Sequence, residues 1–379
     1  MSTLYLQVNL LYSRIMSKQE LQYWNAWNQI QIIGPKRFKK LDSGFSSMEK
    51  AWQASKNELE KIGLTHNIVE KIIKQRRTIN PEKAWLDLEK HNIKTITIGH
   101  KQYPKNLKNI YDPPAMLYIK GALEQVDDLA IGIVGTRKMS SYGKQVAHDL
   151  SFDLARAGMT IVSGLAQGID TIAHKSALKA NARTIAVLGS GLAPSQTFPR
   201  ENYNLAREIS KNGAVISEFP LYMPPLAHNF PIRNRIISGL SRAILVIEAA
   251  QKSGAIITAN QALDQGKDVF AIPGSIYSPV SKGTNDLIKA GAKLVTNSND
   301  VLEELNLEQI KSYAESRKII PENPNQEKIL HILSSEPIHV NLIIKQTNLS
   351  ASKISSELSI MEMQGKVRDL GSGMYVIGK

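Results

Sequence analysis

The chain of 379 residues contains no cysteine, so it can form no disulfide bond, no thiolate metal site and no cysteine nucleophile. This absence fits a reducing compartment, and we expect a cytoplasmic protein. Long apolar runs are also lacking. None approaches the roughly 18 residues that a membrane-spanning helix needs, so we expect no membrane partner. The apolar start at residues 1–15 lacks a basic segment and a small-residue cleavage site, which argues against a signal peptide.

Acidic residues are fewer than basic ones: 34 Asp and Glu stand against 47 Lys and Arg, which gives a net charge of +13. The net charge is +7 over residues 1–128 and +5 over 129–305, but only +1 over 306–379. Such an excess favours a polyanionic partner for the first two regions. The alternative is that the basic charge only keeps the protein soluble.

Six nearly continuous apolar runs predict the fold class of the central region. They occupy residues 129–134, 159–163, 184–188, 214–217, 243–249 and 268–272. Runs of this kind are typical of parallel strands covered on both faces, and the intervening lengths suit helices. We therefore predict an α/β domain with a doubly wound, Rossmann-like, mostly parallel sheet over residues 93–305, with lead-in strands within 93–128.

Smaller modules are predicted on both sides of this domain. Residues 1–92 read as short helices with glycine turns at Gly34 and Gly63, which resemble a SAM-like or helix-hairpin-helix domain. Such turns can bind a DNA backbone, and a purely structural helical cap is the alternative. Residues 306–325 form a polar linker. Residues 326–379 read as three short helices followed by a hairpin, which predicts a winged-helix-like domain.

The string FPIRNRIISGL places Arg233, Asn234 and Arg235 near the start of an apolar helical run. Two arginines beside a helix N-terminus favour an anion, because the unpaired N–H groups there already carry partial positive charge. No nucleophile or general acid lies among them, so the pattern indicates holding of phosphate rather than its cleavage. A surface ion pair or a structural clamp is the alternative.

Glycine-rich loops follow several of the predicted strands and extend this site. Gly135, Thr136, Arg137 and Lys138 follow the first strand of the domain, and Ser163 and Gly164 follow the second. Because the carboxyl ends of parallel strands meet at one sheet edge, these loops predict an extended phosphate-binding rim.

Signatures of nucleotide enzymes and metal sites are missing. The first strand leads into GIVGTR rather than GxGxxG, no GxxxxGK[ST] occurs, and the PGGxGTxxE signature of phosphoribohydrolases is incomplete. We expect no enzyme activity, no cofactor and no metal. The alternative is a Rossmann-like nucleotide-binding enzyme, phosphoribohydrolase-like, that uses the same pocket.

Several acidic residues lie among these loops. We interpret Asp170 and His174, four residues apart on one helix, as a structural pair rather than a catalytic one. Glu218 and Glu248 end strands, and we expect them to cap loop N–H groups or to pair with Arg233 or Arg235.

These strings together resemble the DNA processing protein A (DprA, also called Smf) family. The resemblance covers residues 93–305 and rests on strings in family order. They include PPAMLYIKG, IVGTR, SGLAQGIDTIAH, ISEFP, FPIRNRIISGLS, VIEAAQKSGAIITA and GTNDLIKAGAKLV. The resemblance implies a dimeric protein that is not a nuclease. It would bind single-stranded DNA in natural transformation, protect it and load the RecA recombinase onto it.

The resemblance also assigns site residues. Arg137, Arg233 and Arg235 would contact phosphates, and Ser163 and Gly164 would line the same pocket. Gln167 stands where some members have lysine, so one contact charge is missing here. The dimer edge would lie around residues 285–295, with Asn285, Leu287, Ile288 and Leu294 as its candidates.

Overall fold

The computed structural model describes residues 16–306, 323–333, 338–347, 349–364, 366–371 and 373–377. Three parts of the predicted organisation lie outside these ranges: the first fifteen residues, most of the predicted linker 306–325, and Ser372 in the predicted hairpin. The chain divides into two compact units, residues 1–308 and 309–379. The boundary that we predicted at residue 92 lies within the first unit and stays a prediction.

A nine-stranded sheet forms the centre of the first unit, in the order β1-β2-β6-β5-β4-β3-β7-β8-β9. Its strands are β1 Lys94–Thr97, β2 Met116–Gly121, β3 Ala130–Val134, β4 Thr160–Ser163, β5 Thr184–Val187, β6 Gly213–Ser217, β7 Ala243–Val246, β8 Asp268–Ala271 and β9 Lys293–Leu294. The strands from β3 to β9 pair in parallel, whereas β1 and β2 are antiparallel to their neighbours. The predicted doubly wound, mostly parallel sheet is therefore confirmed.

Helices cover both faces of this sheet. They are α1 Lys18–Asn28, α2 Pro35–Gly44, α3 Met48–Gln53, α4 Lys56–Lys61, α5 His66–Arg76, α6 Pro81–Lys90, α7 Lys105–Lys108, α8 Ser141–Arg156, α9 Ile169–Lys179, α10 Tyr203–Ile209, α11 Asn229–Leu240, α12 Gly254–Asp264, α13 Lys282–Lys289 and α14 Ser298–Glu304. Strands β3 to β7 are buried on both sides, which explains why their sequences are apolar without alternation.

The six N-terminal helices share a hydrophobic core with one face of the sheet. Trp24, Trp27 and Phe38 are buried in it together with side chains of β2 and β6. A hydrogen bond from Asn28 Nδ2 to Tyr118 Oη, 3.1 Å long, links α1 to β2. The helices are therefore packed against the sheet at its β2–β6 side.

The second unit contains α15 Pro324–Ile332, α16 Val340–Thr347 and α17 Ala351–Met363. Its antiparallel sheet has the order β10-β12-β11, with β10 Ile338–His339, β11 Val367–Asp369 and β12 Met374–Ile377. Ile329, Ile343, Ile354 and other apolar side chains form its own core. Three helices and a hairpin are the arrangement that the sequence predicts for a winged-helix-like domain.

Candidate nucleic-acid interface

The loop after β3 presents two exposed basic side chains, Arg137 and Lys138, at the carboxyl edge of the sheet. Its backbone is held from inside. Thr136 N–H donates to the Glu248 carbonyl at 2.7 Å, and Lys138 N–H donates to Thr136 Oγ1 at 3.2 Å. The half-buried Gly135 and Thr136 therefore fix the loop, and the two cations remain open to a ligand.

Glu248 at the end of β7 anchors the same loop. Its carboxylate accepts from Ser140 N–H at 2.9 Å and from Ser140 Oγ at 2.5 Å. A side chain on Gly143 would collide with this carboxylate, since a Cβ there would lie 2.1 Å from Glu248 Oε2. The prediction that Glu248 caps loop N–H groups is confirmed.

The loop after β4 lies directly beside the first. Gly168 has φ +82°, and a Cβ on it would come within 2.4 Å of the Thr136 carbonyl, so only glycine fits this approach. Ser163 is buried, and its hydroxyl donates to the Ile133 carbonyl at 2.6 Å. Gln167 is exposed. The close approach brings Gln167 to the edge that carries Arg137.

Asp170 and His174 do not form the predicted pair. The Asp170 carboxylate accepts from the backbone N–H of Gly164 at 3.1 Å and of Ala166 at 3.3 Å, which holds the loop. His174 Nδ1 lies 2.7 Å from Thr184 Oγ1, and its Nε2 has no hydrogen-bond partner among the described residues. The four-residue spacing does place both residues on helix α9, but each side chain bonds to a group outside that helix.

Arg233 crosses under the loop rather than facing solvent, and it is 4% exposed. Its Nη1 donates to the carbonyls of Gly164, at 2.7 Å, and Val187. Burial lowers its pKa to about 10, which the nearby Asp170 carboxylate opposes. A Cβ on Gly164 would lie 2.7 Å from this guanidinium. The structure thus places Arg233 beside Gly164, as a buried clamp that joins β4 and β5.

Arg235 contacts a different set of residues, although it lies only two positions further along α11. Its guanidinium is paired with Glu218, Nη2 to Oε2 at 2.5 Å, and with Asp112, Nε to Oδ2 at 3.1 Å. The prediction that Glu218 pairs with one of these arginines is confirmed. Asn234, between them, donates to the Gly254 carbonyl at 3.2 Å. Arg233 Nε also donates to Asn234 Oδ1 at 3.1 Å, but the three residues of RNR otherwise contact different partners and do not form one open cluster.

Two aromatic rings that we did not single out from the sequence lie beside Arg137. The Phe230 ring centre is 5.8 Å from the Arg137 guanidinium carbon and 5.9 Å from the ring centre of Phe198. Phe198 is 45% exposed. Both residues open strings of the form Phe-Pro that follow strands, FPREN and FPIRNR. Phe219 also precedes a proline, in ISEFP, so this pattern alone does not identify the two rings.

Comparison with known proteins identifies the chain's relatives. The family model described as DNA recombination-mediator protein A matches residues 94–306. The DprA winged helix domain matches residues 314–373. The chain belongs to the DprA/Smf family. The second unit is accordingly the winged-helix domain of that family.

Curated and solved members of the DprA/Smf family match most of the chain. "Protein Smf" of Synechocystis is 35% identical and covers 93% of this chain and 97% of its own length. The X-ray structure of DprA from Streptococcus pneumoniae has a TM-score of 0.66 at 35% identity, covering 75% of this chain and 97% of that one. A Helicobacter pylori DprA structure, titled for its single-stranded DNA binding mode, has a TM-score of 0.51 at 32% identity, covering 57% and 96%.

The residues that the DprA/Smf resemblance assigns to a dimer edge differ in exposure. Leu287 is buried in the chain's own core, and Asn285 exchanges hydrogen bonds with the Gly274 backbone. Ile288 is half-buried, and Leu294 on β9 is 49% exposed. Of the four, Leu294 is the exposed apolar side chain, whereas Ile288 packs partly against the same core as Leu287.

Two further findings concern the described part of the chain. It contains no group of three or more His, Asp or Glu side chains placed to hold a metal ion. No helix in it has the length and apolar character needed to cross a membrane.

Proposed function

We propose that this chain is a recombination mediator that binds single-stranded DNA along the carboxyl edge of its parallel sheet. The observation that carries the proposal is the pair of exposed cations, Arg137 and Lys138, on a loop that Glu248 and Ser140 hold rigid. Cations on a fixed loop bind the repeating phosphates of a strand without reading its bases.

The aromatic pair supplies the second part of the proposed grip. Phe198 is exposed beside the Phe230–Arg137 contact. Stacking of a base on an exposed ring is independent of sequence and favours single strands, since duplex bases are already stacked. Phosphates on Arg137 and Lys138 and a base on Phe198 would together account for binding that prefers single strands.

The proposal includes a wider role, which membership of the DprA/Smf family supports. The chain would act in the cytoplasm as a dimer through Ile288 and Leu294, protect incoming DNA during natural transformation, and load RecA without any catalytic step of its own. RecA filament formation on single-stranded DNA, followed with and without the chain, tests the loading step. Equal rates would contradict it.

Fluorescence anisotropy of a labelled single-stranded oligonucleotide over a salt series tests the DNA site. Replacing both Arg137 and Lys138 by Ala removes two phosphate contacts. The slope of log K against log salt should therefore become shallower by about 1.4, at about 0.7 per contact. The matched control replaces Lys175 and Lys179 on α9, two exposed lysines outside the rim loops, and should leave the slope unchanged.

Competition with duplex DNA and with mononucleotides completes the test. The proposal requires that unlabelled single strands compete better than duplex. Equal competition by duplex, or an unchanged slope in the double variant, would reject the DNA site. Saturable binding of a mononucleotide in place of the strand would favour the nucleotide-enzyme alternative.

A further inference from the structure

Arg235 has one guanidinium and two carboxylate partners, and the two partners differ in burial. The Glu218 side chain is 12% exposed, whereas that of Asp112 is 41% exposed. Arg235 itself is 8% exposed at its side chain, and its Nη1 has no hydrogen-bond partner within the described part of the chain. The site therefore has one fixed anion, one accessible anion and a spare donor.

The surrounding elements fix Glu218 and leave Asp112 on the surface. The Glu218 backbone carbonyl accepts from Asn28 Nδ2 at 2.9 Å, which ties it to helix α1. Asp112 lies in the connection between α7 and β2, next to Tyr111, which is 84% exposed. Asp112 can therefore move away without disturbing the core, whereas Glu218 cannot.

A cavity of about 560 Å³ adjoins the three charged residues. Asp112, Glu218 and Arg235 all line it, together with Gly34 and Pro35 at the start of α2. Because Glu218 directly follows β6, the cavity lies at the same sheet edge as the loops after β3 and β4. A DNA strand bound at Arg137 could continue along this edge of the sheet towards Arg235.

We propose that Asp112 is a built-in competitor for phosphate at Arg235, and that a bound DNA strand displaces it. The inference rests on the proposed function, since it needs a strand already held at Arg137. A carboxylate and a phosphate oxygen use the same guanidinium donors. Exchange of one for the other leaves Arg235 paired throughout, so that the buried charge is never uncompensated.

The arrangement discriminates between a DNA strand and a free anion. A strand anchored at Arg137 presents its next phosphates at a high effective concentration, which a free phosphate ion lacks. Asp112 keeps a free phosphate ion from binding the Arg235 guanidinium, whereas the anchored DNA strand displaces Asp112. The expected consequence is selectivity for long single strands over small phosphate compounds.

Replacing Asp112 with Asn tests this directly, because the amide keeps the size of the side chain and removes the competing charge. We expect single-strand affinity about three- to tenfold higher and a salt slope steeper by about 0.7, as for one additional phosphate contact. Asp264→Asn is the matched control: it makes the same charge change at an exposed position on α12. Asp264→Asn should give a smaller gain in single-strand affinity and no change in the salt slope.

A second background shows whether the gain passes through Arg235. In the double variant Glu218→Gln with Arg235→Gln, both buried charges are removed together, so neither is left unpaired. Adding Asp112→Asn to this double variant should raise single-strand affinity by no more than the Asp264→Asn control does. Thermal shifts with pyrophosphate offer an independent readout: the ligand should stabilise Asp112→Asn and leave the wild type unchanged.

The outcomes separate this inference from the proposed function. If the wild type binds single strands in a salt-dependent manner but Asp112→Asn matches the Asp264→Asn control, the competitor role is overturned and Asp112 is a structural partner only. If the wild type shows no such binding, the proposed function itself fails. Should Asp112→Asn lower the melting temperature markedly, Asp112→Ser repeats the comparison with a smaller neutral side chain.

Discussion

The loop after β3 and the helix α11 contain the same type of residue in opposite circumstances. Arg137 is exposed, whereas Arg233 and Arg235 are buried and bonded to carbonyls or carboxylates. Arg137 and Arg233 both lie over the Phe230 ring, at 5.8 and 5.7 Å from its centre. The string richest in arginine is therefore bonded within the protein, whereas the loop after β3 leaves its cations exposed. Burial, rather than local charge density, distinguishes the bonded arginines of α11 from the exposed cations of the loop.

The largest effect that would test this division is on stability. Arg233→Met should lower the free energy of unfolding by about 3–5 kcal/mol, because Asp170 and two backbone carbonyls lose their buried partner. Urea denaturation measures the change. Arg137→Met is the matched control and should stay within about 0.5 kcal/mol of the wild type. Equal stabilities for the two variants would remove the distinction between the two regions.

The buried region should also make the stability of the protein depend on pH. Burial lowers the pKa of His174 from 6.5 to about 3, with the Arg233 charge adding to the shift. The unfolded chain therefore binds a proton that the folded chain does not, and stability is lost as pH falls from about 6.5 towards 3. At pH 4.5 the loss from His174 alone should be about 2–3 kcal/mol.

His174→Asn isolates this contribution. The difference in unfolding free energy between wild type and variant, measured by urea titration at several pH values, should shrink or reverse at acid pH. A difference in unfolding free energy that does not change with pH would contradict the assignment of this pH dependence to His174.

The sequence predicts the strands of the sheet better than it predicts the contacts of the arginines on α11. The apolar runs predicted strands β3 to β8 closely, because a strand buried on both faces must be apolar along its whole length. The pairing of Glu218 with one of the two arginines was predicted, but the contacts with Val187 and Asp112 were not, since only the folded sheet brings those residues near. One signal was available: residues two apart on a helix are about 200° apart around its axis. Arg233 and Arg235 could therefore not share one open pocket.

Between the two regions lie the rings of Phe198 and Phe230, which test whether the exposed loop acts alone. Phe198→Leu keeps an apolar side chain and removes the stacking surface, so single-strand binding should weaken by about 1–3 kcal/mol with the salt slope unchanged. The same anisotropy titration measures it. Phe152→Leu on α8, where the ring contacts only His148 and Arg156 among described aromatic and cationic side chains, is the control. A loss of slope instead of affinity would mean that Phe198 only positions Arg137.

The smallest effect comes from adding a charge where this chain lacks one. Gln167 is exposed on the loop beside Arg137, so Gln167→Lys should add about one phosphate contact and steepen the salt slope by about 0.7, with a gain in affinity of only a fewfold. Gln102→Lys makes the same charge change at an exposed position outside the rim loops and should leave the slope unchanged. Equal slopes in the two variants would show that net charge, rather than its place at the sheet edge, governs binding. A steeper slope for Gln167→Lys alone would extend the set of exposed phosphate contacts from the loop after β3 to the loop after β4.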